Sequence, residues 1–326
     1  MRHAPETSAV LFETPDNKAP PGAHAGYVTT EDGMQLRYAR WASGKSTSKD
    51  HSKGTILLLH GRSEFIEKFY EIVSDLLDLG YDVLTFDWRG QGASQRLLNE
   101  RLKGHVEHFN QYLTDLETIL SNVALPDCKP PFSIVAHSTG SLISLLAAPA
   151  LSNRVERMVL LSPLLELNNI PLKQKTLRRV SGLLSFLGFG RNYILRPSVS
   201  PELRPYDGNK LTTDKGRFEL TKKFLFKFPL LGLGGPTIGW VFAACRAMDK
   251  VKEPGFASEI SIPTLIVIAG SDQVVKPSVS EAFARSMRSG GSIMVTGSEH
   301  ELMHERDIYR DQLLAAISSF IPGDSG

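Results

Sequence analysis

The feature that most limits what this chain can fold into is a series of short apolar runs, each closed by a turn and followed by a helical period. The first is Thr55-Ile56-Leu57-Leu58-Leu59, ended by His60-Gly61. A run this short and this continuously apolar reads as a strand buried on both faces. Phe69, Ile72, Val73, Leu76, Leu77 and Leu79 then recur at helical spacing until Gly80 stops them. Residues 82–86 repeat the strand pattern, 109–123 the helical one, 132–136 the strand, 141–150 the helix and 155–161 the strand again. Alternation of this kind predicts a mostly parallel central sheet with helices on both faces.

Upstream, residues 27–30 and 35–39 flank Glu31-Asp32-Gly33, a hairpin signal. Residues 1–24 read as a loose tail and 43–53 as a polar loop. From Leu164 the alternation breaks. Pro171, Pro197, Pro201, Pro205, Pro229 and Pro236 punctuate helical stretches, and the strand–helix pattern returns at 264–268, 293–295 and a closing helix over 308–320. The expected organisation is a tail (1–24), the first part of an α/β core (25–163), an inserted helical lid (164–256) and the second part of the core (257–326).

Composition excludes little but excludes it cleanly. Hydrophobic residues at 41% and charged residues at 22% are ordinary for a folded soluble chain. A formal net charge of +2 offers no field for nucleic acid, so any electrostatic recognition is local. Cys128 and Cys245 suit neither a disulfide framework nor a metal site and are expected to be free thiols. The first residues have no apolar segment of a secretory signal, and no run reaches the ~18 apolar residues of a spanning helix. A cytoplasmic location is expected, with peripheral contact at the inner face of the membrane left open.

Chemistry concentrates at the ends of the strands. Ala136-His137-Ser138-Thr139-Gly140 joins a strand to a helix, where a nucleophile elbow would sit. Small residues two before and two after the serine are needed because their backbones crowd each other. Ser138 is the expected nucleophile, and the Thr139 amide, at a helix start, the expected donor to an oxyanion. In this arrangement the acid and then the histidine follow the serine in the chain. Only His300 and His304 lie downstream, and His300, in the loop after 293–295, is preferred as base; His304 is expected to pack or be solvated. Asp272, the carboxylate in the loop after 264–268, is expected to orient the imidazole. The second oxyanion donor is expected from His60-Gly61-Arg62-Ser63-Glu64, with the Arg62 amide chosen over that of Ser63 and His60 read as structural. Asp87-Trp88-Arg89-Gly90-Gln91-Gly92-Ala93-Ser94 fits no phosphate-loop spacing and is read as a turn in which Asp87 and Arg89 pair or hydrogen-bond locally.

Taken together, these blocks resemble the α/β-hydrolase superfamily, and more narrowly its bacterial lysophospholipase and monoacylglycerol-lipase-like serine hydrolases. The stretch Arg89-Gly90-Gln91-Gly92 with Gln95-Arg96-Leu97-Leu98, and Asn209-Lys210-Leu211-Thr212-Thr213-Asp214 and Gly234-Gly235-Pro236-Thr237 in the insert, are similar to the lysophospholipases in particular. The resemblance implies the α/β-hydrolase fold, a lid over the site, a lipid or other ester as small-molecule substrate, and no metal or organic cofactor. Ala136 in place of Gly, and Ser141 where relatives often carry Gly, depart from the pattern.

Within the insert, Lys173, Lys175, Arg178 and Arg179 precede Leu183, Leu184, Phe186, Leu187 and Phe189, and residues 224–231 are again apolar. Such a segment can rest on an anionic membrane surface, line an acyl-chain tunnel, or pack the lid onto the core. The functional expectation is a lipid-directed ester hydrolase. A hydrolase of small soluble esters or lactones is the alternative, with a catalytically silent ligand-binding scaffold behind it.

Overall fold

A computed structural model describes residues 9–44, 52–195 and 200–322. Residues 1–8 of the expected tail, most of the polar loop (45–51), Pro197 and the last four residues lie outside the described residues.

Eight strands form one sheet among the described residues: β1 (His24–Thr29), β2 (Gln35–Trp41), β3 (Thr55–Leu59), β4 (Asp82–Phe86), β5 (Phe132–His137), β6 (Arg157–Leu161), β7 (Thr264–Ala269) and β8 (Gly290–Val295). Their order is β1-β2-β4-β3-β5-β6-β7-β8. β1 and β2 form the expected hairpin, with Thr29 opposite Gln35, and β2 runs antiparallel to β4. All remaining pairs are parallel.

The continuous apolar runs are explained by what lies on each side. Ile56, Leu58, Val83, Val135, Val159 and Val267 point to one face, where α1 (Tyr70–Asp78) and the C-terminal helix Asp307–Phe320 cover them. Leu57, Leu59, Leu84, Ile134, Met158, Leu160 and Ile266 point to the other, under α2 (Asn110–Ile119) and α3 (Thr139–Leu151). Alternate residues thus enter two separate cores, which is why both faces of the central strands are mostly apolar.

Between β6 and β7 the chain makes α4 (Gln174–Leu184), α5 (Lys215–Lys227) and α6 (Ile238–Val251). The last of these is not a detached layer. Trp240, Val241, Ala244, Cys245, Met248 and Val251 belong to the same core as α2 and α3. The end of the insert is therefore anchored in the body of the protein.

Two local expectations differ from the structure. Residues 9–23 are not loose: the Phe12 amide donates to Glu67 Oε1 at 3.2 Å, Trp41 Nε1 donates to the Pro20 carbonyl at 3.0 Å, and Arg37 Nη1 reaches the Val10 carbonyl at 3.2 Å. The cause is a buried ion cluster. Arg37 meets Glu67 at 2.6 Å and Asp87 at 2.7 Å, all three fully inaccessible, and the segment caps it. Second, Asp87 and Arg89 do not pair with each other. Asp87 takes Arg37 and the amides of Ile66 (3.0 Å) and Ala93 (2.8 Å), whereas Arg89 pairs with Asp32 at 2.6 Å and Asp115 at 2.7 Å. Both residues hold distant segments together and leave the reaction to others. Cys128 and Cys245 are free thiols.

Candidate active site

The turn from β5 into α3 holds Ser138 at φ 50°, ψ −108°, a conformation that a residue with a Cβ adopts only under constraint. Its amide donates to the Leu161 carbonyl at 2.9 Å, tying the turn to β6. A Cβ at Gly140 would stand 2.7 Å from the carbonyl oxygens of Leu59 and His60, so only glycine fits there. Ser141, the departure noted in the sequence, has its own use: its hydroxyl donates to the Ala136 carbonyl at 2.7 Å and lies 3.2 Å from that of Leu161.

His300 and Asp272 come to this serine from the loops after β8 and β7. His300 Nε2 lies 3.0 Å from Ser138 Oγ, and Nδ1 lies 2.7 Å from Asp272 Oδ2. The other Asp272 oxygen accepts the amides of Val274 (2.8 Å) and Val275 (2.9 Å). All three side chains are buried. Burial alone would raise the Asp272 carboxyl, but the charge and hydrogen bond of His300 and the two amides outweigh it and hold the group below its ordinary range. The arrangement is a hydroxyl, a base and an anion in line, which suffices to ionise a serine while an electrophile is bound.

A family model described as Hydrolase_4: Serine aminopeptidase, S33 matches residues 50–307. The chain belongs to this family. It is 29% identical over 296 residues to the probable lysophospholipase L2 of Haemophilus influenzae, covering 90% of this chain and 91% of that one. It is 27% identical to lysophospholipase L2 of Escherichia coli K12, covering 90% and 85%. Among solved structures, a soluble variant of the Saccharomyces cerevisiae monoglyceride lipase, in complex with a substrate analog, superposes with a TM-score of 0.71 at 20% identity, covering 92% of this chain and 96% of that one. The fold is the α/β-hydrolase fold, and the chain is a lysophospholipase-like serine hydrolase.

In this family member the loop after β3 passes directly beside the serine. A Cβ at Gly61 would lie 3.2 Å from Ser138 Cβ. Of the two amides considered for the oxyanion, that of Ser63 donates to Gln91 Oε1 at 2.7 Å, while those of Arg62 and Thr139 meet no acceptor among the described residues. His60 is structural, with Nδ1 2.8 Å from the Gly61 carbonyl and its charged form disfavoured by complete burial.

His304 stands apart from the serine, its Nε2 2.8 Å from the Lys68 carbonyl. Burial, reinforced by the Lys68 charge, lowers its pKa from 6.5 to about 4. Between those values the unfolded chain binds a proton that the folded chain refuses. The contribution of this group is therefore complete above pH 6.5 and is lost as the pH falls through about 4. His304→Gln, which keeps a donor for the Lys68 carbonyl, should flatten the decline of the urea midpoint across this range, and an unaltered slope would contradict the account.

The residues that sequence reasoning passed over form a buried polar cluster under the base. Lys68 Nζ lies 2.7 Å from Glu301, 3.4 Å from Glu64 and 3.4 Å from Glu202. Glu64 also receives the Gly61 amide at 2.5 Å and His137 Nδ1 at 2.9 Å, and His137 Nε2 is 3.1 Å from the His300 carbonyl. Burial opposes the Lys68 charge, but its three carboxylates raise its pKa above the ordinary ammonium value, and Glu64 likewise raises His137 against its burial. Burial lifts Glu202 to about 6. Glu64, Glu301 and His304 lie close enough together to ligate a metal, but Lys68 already supplies the cation among them. The insert contributes more than Glu202: the Glu301 amide donates to the Leu211 carbonyl at 2.7 Å, and Thr212 Oγ1 to the His304 carbonyl at 2.7 Å. One signal was available, since Glu64, His137 and Glu301 sit inside the conspicuous blocks; Lys68 and Glu202 sit in none.

Proposed function

We propose that this serine hydrolase cleaves the carboxylic ester of a lysophospholipid or a monoacylglycerol through an acyl-enzyme, with Ser138 as nucleophile, His300 as general base and Asp272 as its orienting acid. The observation that carries the reading is the unbroken chain Ser138 Oγ–His300 Nε2 (3.0 Å) and His300 Nδ1–Asp272 Oδ2 (2.7 Å) at a serine held in a strained turn. Ser138 Oγ attacks the ester carbonyl while His300 Nε2 takes its proton. The amides of Arg62 and Thr139 receive the negative charge on the carbonyl oxygen. His300 returns the proton to the departing alcohol, then draws one from water as the water oxygen attacks the acyl carbon, and hands that proton to Ser138 Oγ as the acyl–Oγ bond breaks and the acid leaves. None of these steps calls for a metal or an organic cofactor.

The lipid substrate is supported by the relatives' lysophospholipase and monoglyceride lipase names and by the surface of the insert, read here as a lid over residues 164–256. At the end of α4 and just beyond it, Leu183, Phe186, Leu187 and Phe189 are 60%, 87%, 57% and 48% exposed, next to the exposed Lys173, Lys175 and Arg179. A cluster of exposed apolar side chains flanked by cations fits contact with an anionic lipid surface. Among the described residues, no helix is long and apolar enough to cross a membrane. In the second apolar block, Phe224, Leu225 and Leu231 pack against Phe65, leaving Phe226 and Leu230 outside.

On a series of p-nitrophenyl esters the specificity constant should rise with acyl length, and the protein should co-sediment with anionic liposomes but not after Phe186 and Leu187 are both changed to Glu. A preference for short esters together with indifference to liposomes would transfer the reading to small soluble esters.

A further inference from the structure

The two lipid classes above differ by one charged group, a phosphodiester on the same glycerol that carries the ester. The loop after β3 holds a cation, Arg62, that makes no ion pair with a carboxylate among the described residues. The Arg62 guanidinium leaves the loop beneath the insert, where Nη2 donates to the Gly234 carbonyl at 2.6 Å, Nη1 to Ser63 Oγ at 3.0 Å, and the group lies 5.2 Å from the Trp240 ring centroid. A Cβ at Gly104 would come within 2.4 Å of Nη2, so a glycine makes room for it. Among the described residues, its buried Nε–H meets no acceptor, and beside Gly104 the buried His105 Nε2 meets no partner.

Three other buried or half-buried arginines meet carboxylates. Arg37 meets Glu67 and Asp87, Arg89 meets Asp32 and Asp115, and Arg217 meets Glu71, Asp214 and Asp307. Arg96 shares with Arg62 a buried Nε that meets no acceptor and the lack of a carboxylate among the described residues, but its terminal nitrogens reach four carbonyls, those of Gly90, Gly92, Leu230 and Gly232, where those of Arg62 reach one. Glu202, the carboxylate that acts on Arg62, is held by Lys68 at 3.4 Å. Burial lowers the Arg62 pKa to about 10, which still leaves it charged at neutral pH. A part-buried guanidinium whose contacts are a hydroxyl, a carbonyl and a ring still favours an anion beside it, and its planar fork matches a phosphate.

We propose that the Arg62 side chain is an anion subsite that receives the phosphodiester of a lysophospholipid while its ester lies against Ser138, so that the enzyme prefers the anionic lipid to a neutral monoacylglycerol of the same acyl chain. The inference rests on the lipid-ester reading above and goes further by naming which lipid and which residue reads it. A purely structural role, in which Arg62 only pins the insert through Gly234 and Trp240, makes a different prediction: its loss would harm both substrates alike.

The test compares 1-palmitoyl-lysophosphatidylglycerol with 1-palmitoylglycerol in mixed micelles of one neutral detergent, using wild type, Arg62→Met and Arg62→Lys. The ratio of the two specificity constants should favour the lysophospholipid in wild type, fall by roughly ten- to hundred-fold in Arg62→Met, and recover in part in Arg62→Lys. Equal losses on both lipids would overturn the subsite. So would a wild type that cleaves the monoacylglycerol and leaves the lysophospholipid intact, an outcome that spares the lipid-ester reading. A wild type inert on both lipids yet labelled by a fluorophosphonate would remove that reading and the subsite with it. Should Arg62→Met fail to fold, wild type alone decides: sn-glycero-3-phosphoglycerol should slow fluorophosphonate labelling where glycerol at the same concentration does not, and equal effects would overturn the proposal.

Discussion

Replacing Ser138 by alanine should lower ester turnover on the order of 10⁶-fold while leaving a folded protein that no longer reacts with a fluorophosphonate. The magnitude follows from the geometry. In the proposed mechanism His300 and Asp272 move a proton only from a nucleophile at hydrogen-bond distance, and the hydroxyl at that distance, 3.0 Å from Nε2, is that of Ser138. What survives is catalysis by the oxyanion amides and by binding, about 10³–10⁴ over water. The backbone adds a second readout. Ser138 sits at φ 50°, and alanine, which keeps the Cβ, should keep the strain. Glycine at the same place should relieve it and raise stability by about 1 kcal/mol or more. A Ser138→Gly variant that is inactive yet melts above wild type would tie the cost in stability to the position of the hydroxyl. Undiminished turnover or labelling in Ser138→Ala would remove Ser138 as nucleophile.

The largest expected effect on stability is at Lys68, a residue that belongs to none of the motifs. Its ammonium is almost wholly buried and faces Glu64, Glu202 and Glu301 within 3.4 Å. Lys68→Met removes the charge and leaves the stem, so three carboxylates lose their shared cation in a place water does not reach. Breaking a buried ion cluster from one side typically costs about 3–5 kcal/mol, a drop in Tm on the order of 10 °C. The damage should also reach catalysis, because Glu64 holds both the Gly61 amide and His137, and His137 lies against the His300 carbonyl. Adding Glu301→Gln to Lys68→Met should restore part of the stability by removing one of the orphaned charges. A Lys68→Met protein that melts with wild type would show the cluster to be neutral in sum.

The strands and helices of the core were legible because their signals are local. Residues 55–59, 82–86 and 132–136 are mostly apolar and buried at every position, as a sheet covered on both faces requires, and Gly80 ends the helix that the preceding period begins. That Ser138, Asp272 and His300 would come together was legible for a related reason: each follows a strand, and strand ends in a parallel sheet converge on one edge. Residues 9–23 were misread as loose because nothing in their composition announces that Arg37 and Glu67 need a cover. Asp87 and Arg89 were expected to pair or hydrogen-bond locally; Asp87 does accept the Ala93 amide within the turn, but each ion pair is made with a distant segment, Arg37 for Asp87 and Asp32 and Asp115 for Arg89.

By itself, then, the sequence determined the period of each element, the tight turn that Ala136 and Gly140 permit around Ser138, and the order in which the serine, the acid and the histidine occur. Those depend on contiguous residues and on backbone sterics that act over a few positions. Only the tertiary structure decided which amides of the oxyanion loop stay free, where the insert touches the base loop, and which charges meet underground. Lys68 and Glu301 are 233 residues apart, and Arg62 and Gly234 are 172 apart. A buried charge takes whichever partner the folded chain brings within a few ångströms, and no local period records that choice.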